Sequence, residues 1–346
     1  LLEKIDTLPE IKLQIKSWLE AGLTEDYLRA DKYNLIPANR LGTPQGGLIS
    51  PFLANVALHG LETHLKNWIA EKQGPIEYFS TGNRNYPSKR SKMSSLGVIR
   101  YADDFLIIHK DKSLLEDAKT VTECWLKETS GLYLNPSKTN IICTDNGFTF
   151  LGFQFINVTR NDKKRIKIYP DKTAKKNLIV KVGNILRRNR AVSAYDLIQM
   201  LRPIILGWGN YYSICECSST FHTVSNDIFG MLRAWVFRRD RRNNRKHIKE
   251  KYFPSNRTYV FNNTEHKDNW ILCGQKKLKN NEIKNIHLPQ LQWIQSKRHV
   301  KVLGNASVYD GNNAYWANRS LKYGNWSPTQ RKLLKYQQGI CTMCES

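Results

Sequence analysis

Val98-Ile99-Arg100-Tyr101-Ala102-Asp103-Asp104-Phe105-Leu106-Ile107-Ile108 sets two adjacent acids inside an otherwise apolar, β-branched run. The pattern is that of a strand, a tight turn and a second strand, with both carboxylates at the turn. Like charges buried side by side are unfavourable without a neutralising cation. Mg²⁺ is the simplest such cation, because it prefers carboxylate oxygens and leaves room for substrate phosphates. Two such ions can clamp the attacking and leaving oxygens of a phosphoryl transfer. An ordinary β-hairpin with an Asp-Asp turn fits the same residues, since Asp is common in turns. The surrounding segments decide between the two.

Upstream, apolar residues at helical spacing (Ile11, Ile15, Trp18, Leu19) predict a helix between Ile5 and Leu23, stopping at Gly22. Leu41-Gly42-Thr43-Pro44-Gln45-Gly46-Gly47-Leu48-Ile49-Ser50-Pro51 is a turn whose backbone can approach a ligand closely. It feeds a helix with Ser50 as the expected N-cap, Pro51 at its first position, and Phe52, Leu53, Val56, Ala57 and Leu61 on one face. Residues 72–95 are polar and read as a long loop. Downstream, residues 114–129 form an amphipathic helix. Gly131 to Thr139 ends a strand in a turn that presents Lys138. Phe148-Thr149-Phe150-Leu151-Gly152-Phe153-Gln154-Phe155 alternates as a strand does, with Gly152 allowing close approach.

The chain of 346 residues is long enough for two or three domains. Its seven cysteines are odd in number and scattered, which fits a reducing, intracellular setting better than a disulfide framework. No apolar run reaches the ~18 residues of a membrane span, and no signal peptide or membrane partner is expected. The net charge of +24 is unevenly placed: residues 1–158 are neutral, residues 159–255 carry +15 and residues 256–346 carry +9. A neutral part bearing the acidic pair, followed by two basic parts with interleaved aromatics, is the layout of a catalytic module with nucleic-acid grips.

Four segments in order, Pro44-Gln45-Gly46-Gly47, Tyr101-Ala102-Asp103-Asp104, Leu134-Asn135-Pro136-Ser137-Lys138-Thr139 and Phe150-Leu151-Gly152-Phe153, resemble the palm of reverse transcriptases, most of all those encoded by group II introns. The resemblance implies an α+β right-hand polymerase palm, then a helical thumb, then a basic DNA-binding region. It implies that Asp103 and Asp104 are two of three metal-binding carboxylates for Mg²⁺. Tyr101 and Ala102 would lie beside the primer terminus. Pro44, Gln45, Gly46 and Gly47 would line the nucleotide and template pocket. Lys138 would sit near the incoming dNTP triphosphate or help order the site. Leu151 and Gly152 would form the hairpin that grips the primer backbone. The third catalytic Asp should precede the first helix. Asp6 is flanked by helical sequence, and Asp26 and Asp31 lie in a polar connector, so the sequence is read as beginning downstream of that ligand and of part of the fingers.

Residues 159–255 read as amphipathic helices: one from Asn177 to Arg190, one from Ala194 to Leu201 broken or kinked by Pro203, and a long one through Phe229, Leu232, Trp235 and Val236. The run Gly207-Trp208-Gly209-Asn210-Tyr211-Tyr212 resembles the maturase or X domain of the family. Trp208, Trp235, Tyr211 and Tyr212 are read as core rather than base-stacking residues. Arg187, Arg188, Arg190, Arg238, Arg239, Arg241, Arg242, Arg245 and Lys246 are the expected RNA contacts. Residues 256–335 would correspond to a DNA-binding domain. Residues 336–346 would begin a truncated HNH endonuclease, with Cys341 and Cys344 as half of a site that would hold Zn²⁺ only in a longer form. The implied parent is an RNA-directed DNA polymerase and maturase that binds a group II intron lariat in a ribonucleoprotein, assists splicing and reverse splicing into target DNA, and primes cDNA synthesis there. It would work in a bacterial cytoplasm or an organelle, at the nucleoid. Two alternatives stay open: an RNA-binding splicing cofactor with little polymerase activity, and a reverse transcriptase outside introns.

Overall fold

The structure is a computed structural model and describes residues 2–20, 49–72, 88–160, 163–239, 243–277, 281–297, 300–304, 306–324 and 326–337. It mixes helix and sheet, in two compact units, Leu1–Cys143 and Thr144–Ser346.

In the first unit a single 3₁₀ turn, Leu2–Lys4, precedes α1 (Pro9–Glu20). The helix begins at Pro9, later than the apolar spacing alone predicts, because proline is tolerated in a first turn and not within a helix. Next comes α2 (Ser50–Ala57). Here Ile49 takes the N-cap position and Ser50 is already helical, so the expected serine cap is displaced by one residue. Gly60, at φ +97°, separates α2 from α3 (Leu61–Glu71), so the face expected to run from Phe52 to Leu61 is cut, and Phe52 is exposed. The stretch read as a loop ends in a short helix, α4 (Lys89–Ser95), capped by the Ser88 side chain accepting from the Ser91 N–H at 3.2 Å.

Strands β1 (Gly97–Tyr101) and β2 (Asp104–Ile108) pair antiparallel, from Gly97 opposite Ile108 to Tyr101 opposite Asp104. Helix α5 (Lys112–Ser130) starts at Asp111, whose side chain accepts from Ser113 N–H at 2.8 Å, and stops at Gly131, φ +67°. Leu61, Leu65 and Ile69 of α3 recur every fourth residue and are fully buried. They pack with Leu96, Val98, Leu114, Trp125 and Leu126 into one core. Lys66 Nζ donates to the carbonyls of Met93 (2.8 Å) and Leu96, tying α3 to the α4–β1 junction. Burial lowers the pKa of this lysine, with Glu62 opposing.

The second unit opens with a three-stranded antiparallel sheet, β3 (Phe148–Phe150), β4 (Phe153–Arg160) and β5 (Lys163–Pro170). The alternating run over 148–155 is therefore a hairpin and not one strand. Residues 131–139, expected to end a strand, contain a turn and no strand. Helices α6 (Lys172–Arg188), α7 (Ala194–Tyr212), α8 (Ser218–Arg239) and α9 (Arg245–Tyr252) follow. Pro203 does not end α7: the helix continues to Tyr212, with Leu201 and Ile205, on either side of the proline, buried in the core of this unit. Two hairpins come next, β6 (Arg257–Phe261) with β7 (Thr264–Asp268), and β8 (Cys273–Lys277) with β9 (Ile283–His287). Helices α10 (Asn313–Tyr323) and α11 (Pro328–Tyr336) close the described chain. One core joins α6–α9 to the hairpins through Leu197, Phe221, Phe253, Ile271, Leu272 and Leu291.

Candidate active site

The acidic pair sits on the β1–β2 hairpin. Tyr101 and Asp104 are cross-strand partners, which leaves Ala102 and Asp103 as a two-residue turn. Ala102 lies in the left-handed region at φ +53°, a conformation that a branched side chain would resist. Arg100 holds this turn: its Nη1 donates to the Ala102 carbonyl at 3.0 Å and to Asn55 Oδ1 of α2 at 2.9 Å. Both Asp103 and Asp104 are exposed. Burial, the premise from which a cation was inferred above, therefore does not operate here. What favours a cation is the adjacency of two carboxylates at one solvent-facing turn.

Lys138 is also exposed, in a turn that the Asn135 side chain builds. Asn135 Oδ1 accepts from the Ser137 N–H (3.0 Å) and Oγ (2.7 Å), and the Asn135 carbonyl accepts from the Lys138 and Thr139 N–H groups. Leu151 and Gly152 form the two-residue turn between β3 and β4, with φ of +50° and +76°. Both central residues are left-handed, as a type I′ hairpin turn requires.

Arg187, Arg188, Arg190, Arg238, Arg245 and Lys246 are exposed. Arg239 is engaged differently: it donates to the carbonyls of Arg190, Ala191 and Val192 and lies 5.0 Å from the centroid of the Trp235 ring. It is thus a cap for the α6–α7 connection. Trp235 and Tyr212 are buried, in line with a core role, whereas Tyr211 is 52% exposed and donates to the Leu151 carbonyl. Pro44, Gln45, Gly46, Gly47, Arg241, Arg242, Cys341 and Cys344 lie outside the described residues. A cavity of about 700 Å³ lies among α9, the start of α7 and the two distal hairpins, and among the expected site residues it includes Arg239.

As a donor set, Asp103 and Asp104 suit Mg²⁺ in kind, being hard carboxylate oxygens open to solvent. Among the described residues no cluster of three His, Cys, Asp or Glu side chains is placed to hold a metal. Sequence reasoning missed Arg100 and Asn55. Arg100 reads only as a polar residue on an alternating strand, and its partner lies 45 positions earlier.

Residues 2–155 match the family described as reverse transcriptase (RNA-dependent DNA polymerase). Residues 175–253 match the group II intron, maturase-specific domain. The chain is 26% identical over 260 residues to an uncharacterized 91 kDa protein in cob intron of Schizosaccharomyces pombe, over 59% of this chain and 31% of that protein. It is 32% identical over 129 residues to Protein YkfC of Escherichia coli, over 33% of this chain and 32% of that one. To a COX1/OXI3 intron 2 protein of Saccharomyces cerevisiae it is 30% identical over 175 residues, 39% of this chain and 19% of that protein. The chain spans at most about a third of the length of these curated relatives. The chain thus carries a region of the reverse-transcriptase family, residues 2–155, followed in order by a group II intron maturase-specific region, residues 175–253, and it is similar to intron proteins.

Proposed function

We propose that the protein copies RNA into DNA at the β1–β2 turn, and that it binds group II intron RNA, assists its splicing and its reverse splicing into target DNA, and synthesises cDNA from the nicked DNA end. The observation that supports this reading is the exposed Asp103-Asp104 pair on a hairpin turn fixed by Arg100, within a region of the reverse-transcriptase family.

In the proposed reaction the primer 3′-hydroxyl attacks the α-phosphate of a dNTP and pyrophosphate leaves. Asp103 and Asp104 would hold Mg²⁺, which when bound would stabilise the negative charge developing on the attacking and leaving oxygens. Arg100 keeps the turn in one shape, so the carboxylates are placed before substrate arrives; such preorganisation and positioning carry most of the rate in phosphoryl transfer. Ala102 presents only a methyl group where the primer end would lie. Lys138 would meet the triphosphate. The exposed arginines of α6 and α8 would meet phosphates of the bound RNA. Residues 1–158 act as the palm with part of the fingers, residues 159–255 as the thumb or X domain, residues 256–335 as the DNA-binding part and residues 336–346 as the start of an HNH endonuclease. No helix among the described residues is long and apolar enough to cross a membrane; we place the protein with nucleic acid in a bacterial cytoplasm or an organelle.

The test is primer extension on an RNA template by the full-length protein, with Asp103→Ala/Asp104→Ala as the blank. Synthesis that the double substitution abolishes supports the reading. Absence of synthesis in both, with tight intron-RNA binding, overturns polymerase function and makes the protein an RNA-binding splicing cofactor.

A further inference from the structure

The Leu151-Gly152 turn is held from outside. The end of α7 holds it on one side: Tyr211 Oη donates to the Leu151 carbonyl at 2.9 Å. The Tyr212 hydroxyl lies 2.8 Å from where a Cβ at position 152 would stand, and the backbone there is left-handed at φ +76°, so a side chain at this position is strained. Phe153 packs against both rings, stacked on Tyr211 at 5.3 Å and edge-on to Tyr212 at 5.1 Å between centroids. On the other side, the Asp171 N–H at the start of α6 donates to the Gly152 carbonyl at 2.9 Å.

The peptide joining Leu151 to Gly152 is trans, so its C=O and N–H point in opposite directions. Fixing the carbonyl toward α7 fixes the Gly152 N–H away from it. An N–H at a glycine, with no side chain in front of it, is a suitable donor to a phosphodiester oxygen. A half-exposed tyrosine hydroxyl adds little to a core. Its effect here is to choose which way this peptide faces.

We propose that Tyr211 is a positioning residue for the primer strand: it orients the Leu151-Gly152 peptide so that the Gly152 N–H meets a backbone phosphate of the primer. This rests on the reading of that turn as a primer contact. The run Gly207 to Tyr212 then has a role beyond the core of the helical part. It couples the end of α7 to the turn at which the growing strand would be held.

The experiment measures the dissociation constant of a labelled DNA primer on an RNA template, at fixed salt, for the full-length protein and for Tyr211→Phe and Gly152→Ala. Tyr211→Phe keeps the ring against Phe153 and removes only the hydrogen bond. It should weaken duplex binding about five-fold as the peptide loses its fixed facing, with unchanged KM for dNTP and a melting temperature lowered by no more than the roughly 2–4 °C that one hydrogen bond accounts for. Unaltered affinity in Tyr211→Phe with weakened affinity in Gly152→Ala overturns the brace and leaves the turn as a primer contact. Unaltered affinity in both overturns the primer contact itself, and the brace with it. A drop in melting temperature well beyond the roughly 2–4 °C of one hydrogen bond makes the tyrosine structural and overturns the positioning role. Binding needs no catalysis, so absence of synthesis bears on the polymerase reading alone.

Discussion

Arg100 ties two segments to the turn that carries the acids. Its guanidinium bonds the Ala102 carbonyl and the Asn55 side chain, so Arg100→Ala should cost roughly 1 kcal/mol per lost bond in stability. The larger effect is expected on catalysis, since the turn would lose its fixed shape; primer extension alongside a urea melt separates the two. An activity loss no greater than the stability loss would remove Arg100 from the site. Gly152→Ala meets two obstacles, a backbone at φ +76° and the Tyr212 hydroxyl. It should destabilise the second unit by about 1–3 kcal/mol, read as a lower urea midpoint. The hairpin that carries the acids was legible in the sequence because its signal is local: two adjacent turn-favouring acids interrupt a β-branched run. Their exposure was not legible. It depends on which face of a two-stranded hairpin the rest of the chain covers.

At the scale of elements, α7 shows how packing overrides a local signal. Proline removes one backbone donor and crowds the preceding turn, at about 3 kcal/mol. Leu197, Ile198 and Leu201 are fully buried and Ile205 nearly so, and such side chains contribute about 1.5–3 kcal/mol each. The sum outweighs the proline, and the helix runs through. Leu201→Ala should then cost about 2–5 kcal/mol, measured by chemical denaturation; a cost below about 1 kcal/mol would show that α7 is not held in this way. The β6–β7 hairpin was missed, although Asn262-Asn263 marks it: both residues are left-handed, at φ +48° and +62°, as a type I′ turn demands. Polar, weakly alternating strands concealed it. That hairpin and its neighbour enclose Tyr259, His266, His287 and Trp293, with His266 stacked on Trp293 at 4.5 Å.

Burial lowers the pKa of His287, and the nearby Arg202 adds to the shift. The folded state thus favours the neutral ring, and the unfolded chain binds the proton more readily. Stability from this group is complete above the ordinary histidine pKa of about 6.5 and declines as pH falls through it. The urea midpoint should fall on acidification from about pH 7.5 to 5.5, less steeply in His287→Asn. Equal slopes in the two proteins would assign the change elsewhere. Glu250 responds in a separate window: hydrogen bonds from the Ser255 hydroxyl and N–H, with Lys249 beside it, hold its pKa at about 2. Its contribution is intact above the ordinary carboxylate range and is lost only at stronger acid.

Over the whole molecule, charge should govern how the protein meets the nucleic acid proposed as its partner. The +15 on residues 159–255 should make RNA binding fall steeply with salt, as each neutralised phosphate releases counterions. Arg187→Gln, Arg188→Gln and Arg190→Gln together should reduce the slope of log K against log salt by about 0.7–0.9 for each phosphate contact removed. An unchanged slope would show these arginines to be idle surface. Arg239→Gln is the contrast. Its guanidinium caps the connection between α6 and α7, so it should lower stability more than it alters the slope.

The sequence by itself determined the pattern: paired acids on a hairpin, a neutral part followed by basic ones, and the family that the order of its motifs resembles. Each of these follows from residue type and short-range spacing. Only the tertiary structure decided the support. The bond from Tyr211 to Leu151 spans 60 positions, Arg100 reaches Asn55 across 45, and Arg239 reaches back to the α6–α7 connection. Long side chains such as these can reach many carbonyls and amides. Which of them they meet is set by how buried helices and strands pack, and that information is spread over the whole core rather than written beside the residue.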